Sequence, residues 1–126
     1  MTGYHADIEK KTLENENFRK VLFTGPCSQL VVMTLKVGEE IGVETHFTND
    51  QFFRIEAGKG KAILAGEEYP LDSASVVVVP AGTEHNIINT SPTESLKLYT
   101  IYSPAQHPDG TVHKTKAEAD EHEHHH

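Results

Sequence analysis

Between Phe18 and Ser103 the chain is a close succession of short runs rich in β-branched and aromatic residues: FRKVLFTG, SQLVVMTLKVG, VETHF, QFFRIEAG, GKAILAG, EYPL, SVVVVP, EHNIINT and SLKLYTIYS. Turn-forming residues separate them, at Gly25-Pro26, Gly38, Asn49-Asp50, Gly58-Lys59-Gly60, Gly66-Glu67, Asp72-Ser73, Pro80-Ala81-Gly82 and Ser91-Pro92. Many short strands punctuated in this way predict an all-β sandwich or barrel. Nowhere in the stretch do apolar residues recur with a helical period over a useful length.

The flanks read differently. Residues 1–17 are polar and charged and predict a loose N-terminal arm with a short helical turn. After the barrel segment, residues 18–102, the remaining 103–126 begin with SPAQHPDGTVHK, whose prolines and glycine predict an extended surface loop. A short helix follows, with Thr115 as N-cap and Glu118 three residues on. The chain has nine histidines, and four of them fall in its last five residues. That tail is either native or a purification-tag remnant, and it is a hazard for any metal assay.

With 126 residues, one domain with a single core is expected. A net charge of −8 argues against nucleic acid and anionic membrane surfaces as partners. No apolar segment at the start resembles a secretion signal, and the longest strongly apolar run, Val76 to Val79, is too short to span a bilayer. Cys27 is the one cysteine and cannot form an internal disulfide, so a cytoplasmic location is expected. Its turn-like context, TGPCSQ, reads as a small side chain near a strand start and not as a nucleophile.

Side chains two apart on a strand share a face. Glu44 and His46 in VETHF therefore point one way, and Val43, Thr45 and Phe47 the other. In QFFRIE, Gln51 shares a face with Phe53 and Ile55, which marks that face as interior and sends Arg54 and Glu56 outward. In EHNIIN, His85 shares a face with Ile87 and Asn89. A carboxylate, two imidazoles and an amide oxygen inside one barrel are costly without a partner, and a divalent cation is the partner that accepts all their lone pairs. Two histidines and a carboxylate suit non-haem iron; imidazole also suits zinc, nickel and copper, and the oxygen donors favour manganese or iron. The competing readings are a hydrogen-bonded pair of core histidines for His46 and His85, an exposed strand carboxylate for Glu44, and an orienting role for Gln51. Gly38, Gly58, Gly60 and Gly82 read as turn glycines with positive φ. Phe47, Phe52, Phe53, Tyr99 and Tyr102 read as core or dimer contacts, with Phe53 or Tyr99 able to line the pocket. His107 and His113 read as solvated.

The two stretches resemble the two motifs of the cupin superfamily. The first is usually written G(X)5HXH(X)3,4E(X)6G; here Gly38, Glu44, His46, Gln51 and Gly58 fall at its spacing, with Glu44 in place of the first histidine and Gln51 in place of the glutamate. The second is usually G(X)5PXG(X)2H(X)3N; here Pro80, Gly82, His85 and Asn89 match, and Ala74 stands in place of the first glycine. The resemblance implies a jelly-roll barrel over about residues 18–102, commonly a homodimer, with a metal at Glu44, His46, Gln51 and His85. The chain looks most like the small cupins labelled mannose-6-phosphate-isomerase-like.

That resemblance implies an enzyme using zinc, manganese, iron or nickel as a Lewis acid on a small polar organic substrate, with isomerase- or lyase-like chemistry. Glu44 is then a ligand or a general base beside the metal. Dioxygenase chemistry and a non-catalytic small-molecule-binding scaffold are the alternatives. A sugar phosphate requires a basic clamp, and Arg54, taken as the one arginine among the core strands, is expected to face outward.

Overall fold

The computed structural model describes residues 2–124. Nine strands form two antiparallel sheets: β1 (Arg19–Thr24), β2 (Gln29–Leu35), β3 (Asp50–Ala57), β4 (Gly60–Leu64), β5 (Glu67–Leu71), β6 (Val76–Val79), β7 (His85–Asn89), β8 (Leu96–Ser103) and β9 (Val112–His113). The larger sheet has the order β6-β3-β8-β2-β1-β9 and the smaller β5-β4-β7. This is the all-β jelly roll that the strand pattern and the motifs led us to expect.

Alternation along the strands builds the core between the sheets. Gln51, Phe53 and Ile55 of β3 are buried, as are Leu96, Leu98, Thr100 and Tyr102 of β8. Val31, Met33 and Leu35 of β2 and Ala62 and Ile87 of the smaller sheet complete the packing. Each such aliphatic side chain contributes roughly 1.5–3 kcal/mol of burial. Phe53 is therefore the inward aromatic; Tyr99 faces outward beside Phe52, with ring centres 6.2 Å apart. Arg54 is also on the outer face, its Nε 2.9 Å from Oε1 of Glu56.

Glycine has two distinct uses. Gly38, Gly58 and Gly82 do take positive φ. Gly60 does not; a Cβ there would lie 2.5 Å from the Ile88 carbonyl oxygen, so close approach of the backbones is what requires glycine.

Three expectations are corrected. VETHF is not a strand: Glu44 forms a single isolated bridge, and Val43 and Phe47 are 66% and 77% exposed, so Phe47 is not a core residue. The stretch after Ser103 is not all surface loop, because Val112–His113 pairs with β1 as its outer neighbour. His113 is accordingly buried and His107 half-buried, not solvated.

A helix flanks the barrel at each end of the chain. The N-terminal helix α1 (Ile8–Glu14) starts at Asp7, whose side chain accepts from the Lys10 amide, and packs against β2, β3 and β8. The C-terminal helix α2 (Lys116–His124) starts where the capping pattern places it: Thr115 Oγ1 accepts from the Glu118 amide at 3.1 Å. The last two residues of the His-rich tail lie outside the described residues. Among the described residues no helix is long and apolar enough to cross a membrane.

Candidate metal centre

The isolated bridge does the work that a strand was expected to do. Glu44 and His85 exchange both backbone hydrogen bonds, each 2.9 Å. Residues paired this way sit directly opposite, about 5.5 Å apart at Cα, with their side chains on one face. The chain then continues two residues to His46, whose carbonyl accepts from the Gly82 amide at 2.8 Å. The backbone thus ties the first motif to the second on both sides of the candidate site. Gly82, in its left-handed conformation, lies in the turn that makes this tie.

The side chains follow from that scaffold. Nε2 of His46 lies 2.9 Å from Oε2 of Glu44, and their side chains are 11% and 22% exposed. The contact has ion-pair distance without hydrogen-bond direction, because Nε2 of His46 is buried with no hydrogen-bond partner. The rings of His46 and His85 have centres 5.4 Å apart. His85 Nδ1 is 2.9 Å from the Thr83 carbonyl oxygen. A carbonyl can only accept, so Nδ1 carries the proton and Nε2 keeps its lone pair for another partner.

Gln51 approaches from the opposite sheet. Its Nε2 donates to Thr100 Oγ1 at 3.0 Å, which turns its Oε1 the other way. That oxygen is buried with no partner. An unpaired buried carbonyl oxygen is uncommon and costs free energy.

Metal-bound imidazole nitrogens and carboxylate oxygens sit ~2.0–2.2 Å from a zinc ion, which places neighbouring donors about 3 Å apart and two bound imidazole rings roughly 5 Å apart at their centres. The Glu44–His46 contact and the His46–His85 ring spacing both agree with such a geometry. The donor types are those that bind divalent cations, but among the described residues no group of three or more His, Cys, Asp or Glu side chains is placed so that it could hold a metal ion. Gln51 is a fourth donor of a type outside that grouping.

Three residues around the site, Thr100, Tyr102 and His107, were given no site role by sequence reasoning. Thr100 anchors the Gln51 amide. Tyr102 sets its ring edge against His46, with centres 5.9 Å apart. His107 meets Tyr102 in turn, its Nε2 3.4 Å from the hydroxyl. Burial above all, then the charges of Arg19, His113 and His46, lowers the His107 pKa to about 3. Arg19 also contradicts the expectation of a single core-strand arginine facing outward: it lies on β1 and is buried. The alternation of Leu96, Leu98, Thr100 and Tyr102 was the signal that could have found the β8 pair. Asn89, the last residue of the second motif, is spent on structure, donating to the Leu35 and Glu94 carbonyls.

The family model described as "Cupin domain" matches residues 31–102. The chain is 47% identical over 120 residues to the protein named "Uncharacterized protein YrkC" of Bacillus subtilis (strain 168), covering 90% of this chain and 64% of that one. It therefore spans a little under two thirds of that relative's length. It is 46% identical to the protein named "Uncharacterized protein L612" of Acanthamoeba polyphaga mimivirus, over 86% of this chain and 70% of that one. Among solved structures, BH2720 from Bacillus halodurans superposes with a TM-score of 0.93 at 40% identity, over 95% of both chains.

Proposed function

The chain belongs to the cupin-domain family, and from that premise we propose that it is a metal-binding cupin in which Glu44, His46, Gln51 and His85 hold one divalent cation. The single observation that carries the reading is a pair of buried donors without partners, Oε1 of Gln51 and Nε2 of His46. Both lose hydration on folding and receive no hydrogen bond in return, a cost that one cation removes.

We further propose an isomerase- or lyase-like enzyme acting on a small polar organic molecule. A bound divalent cation supplies Lewis-acid polarisation of a carbonyl or hydroxyl oxygen. The protein supplies the rest. His85 is fixed in one tautomer by Thr83, and Gln51 is fixed by Thr100. Glu44, the more exposed of the Glu44–His46 pair at 22%, is the group that takes a proton from a substrate carbon or hydroxyl when it is released from the cation. Tyr102 closes the wall behind His46.

A non-catalytic small-molecule-binding scaffold is the second reading. It is favoured by the Glu44–His46 approach itself, which gives the carboxylate a cationic partner whenever His46 is protonated.

Elemental analysis of protein lacking the His-rich tail separates the two. The metal reading expects about one divalent metal per chain and loss of that metal in the His46→Ala variant. Metal-free wild type whose melting temperature does not respond to added divalent cations or chelator supports the scaffold.

A further inference from the structure

Arg19 is, among the described residues, the only Lys, Arg, Asp or Glu in the buried set, at 2% exposed. It stands opposite Met33 on the inner face of β1. Its Nη1 lies 3.2 Å from Nδ1 of His113, and its guanidinium carbon lies 5.3 Å from the centre of the Phe18 ring. Its Nε is buried with no partner. Among the described residues no carboxylate comes within ion-pair distance of it.

This is a costly arrangement. A guanidinium does not give up its proton in a protein, so it cannot escape burial by neutralising. An imidazole nitrogen and a ring face compensate only part of a desolvated charge. The chain carries 19 acidic residues, yet among the described residues none pairs with Arg19. With Nη1 turned to His113, the edge formed by Nε and Nη2 is the one left over. That edge is the bidentate fork that matches a carboxylate.

The charges of Arg19 and His46 both contribute to lowering the pKa of the half-buried His107. His107 touches Tyr102, and Tyr102 lies edge-on to His46.

We propose that the Nε–Nη2 edge of Arg19 binds a carboxylate group of a small organic acid, so that the molecule taken into the barrel is an anionic carboxylic acid. The substrate class rests on reading Glu44, His46, Gln51 and His85 as the small-molecule site; the anion-binding half stands on Arg19 itself. The preference expected is geometric: the two coplanar oxygens of a carboxylate group meet the planar Nε–Nη2 fork in one plane.

Calorimetric titration of malonate into the chelator-treated full chain, at fixed ionic strength, tests the anion half without any metal. Saturable binding is expected, and Arg19→Met should weaken it about ten- to a hundredfold. Should that variant fail to fold, Arg19→Lys keeps the charge and loses the fork, and about tenfold weakening is expected. In the wild type, malonate should raise the melting temperature more than sodium chloride of equal ionic strength. Absence of saturable malonate binding, equal affinity in an Arg19 variant, or tighter binding of inorganic phosphate than of malonate overturns the proposal. A separate titration of zinc, without malonate, tests the metal centre. Malonate binding retained in a chain that takes up no zinc rejects the metal reading alone, and zinc binding without malonate binding rejects the Arg19 proposal alone.

Discussion

Nε2 of His46 and Oε2 of Glu44 stand 2.9 Å apart and do not make a hydrogen bond. Two acceptor lone pairs held this close repel unless a proton or a cation lies between them. If a cation is the natural occupant, the Glu44 charge offsets part of the ion's charge. Glu44→Gln should then weaken divalent-metal affinity by more than about tenfold while leaving the fold intact. Competition against a chromogenic chelator checks this on protein without the tail, and unchanged affinity removes Glu44 from the ligand set.

Thr100 tests the role of Gln51. Its hydroxyl is the acceptor that holds the Gln51 amide nitrogen and thereby aims the carbonyl oxygen. Thr100→Val keeps the shape and deletes the acceptor, leaving a buried N–H unpaired at a cost of about 1–3 kcal/mol. Metal affinity should fall about tenfold as the amide loses its fixed orientation. A variant that loses stability and keeps full metal affinity would show Gln51 to be structural.

Legibility in the sequence followed the range of the interactions involved. The inward set Gln51, Phe53 and Ile55 was readable because a two-residue period is a local property of one strand. Glu44 and His46 were placed together for the wrong reason. The apolar Val43 and Phe47 suggested a strand, but both are exposed; Glu44 is held by its bridge to His85 and His46 by the Gly82 amide, both from the distant second motif. Arg19 had the right parity with Val21, yet a charged residue in a strand reads as outward unless its environment is known. That environment comes from His113, which lies 94 residues away along the chain. Nothing local in SPAQHPDGTVHK announces that Val112 and His113 will pair with β1. Contacts between distant segments set these positions, and a periodicity argument does not reach them.

His107 should shape the acid limb of stability. Folding lowers its pKa from 6.5 to about 3, mainly through burial. Between those values the unfolded chain binds more protons than the folded one, so stability rises with pH across this window and is lost as pH falls through it. The slope from one such group is at most ~1.4 kcal/mol per pH unit, and the partial exposure of the ring trims it. His107→Gln should flatten the fall in melting temperature between about pH 6.5 and pH 4 relative to wild type. The other titrating groups are common to both proteins and cancel in the difference. Parallel curves would place His107 in solvent.

Ala74 offers a test of the backbone rather than the site. It occupies the position where the second motif usually has glycine, and it nevertheless takes φ 73°. Its neighbours leave it little choice: the Ala74 amide donates to the Ile55 carbonyl at 2.8 Å, and the Ser75 carbonyl accepts from the Ile55 amide at 2.9 Å. The left-handed conformation costs an alanine roughly 1–2 kcal/mol. Ala74→Gly removes that strain, while the extra freedom of glycine in the unfolded chain returns about 0.4–1 kcal/mol of it. The side chain is exposed, so no core packing is lost. The net expectation is a stabilisation of about 0.5–1 kcal/mol, read as a rise of a few degrees in melting temperature. Gly58→Ala is the opposite case. Its φ is +95°, and a Cβ would lie 2.5 Å from the Ser95 carbonyl oxygen. Backbone must move to admit it, so a loss of more than about 2 kcal/mol is expected. Opposite signs from the two substitutions would show that the Asp72–Ser75 turn tolerates an alanine under strain, whereas Gly58 is required by space; a destabilised Ala74→Gly variant would show that the strain assigned to Ala74 is absent.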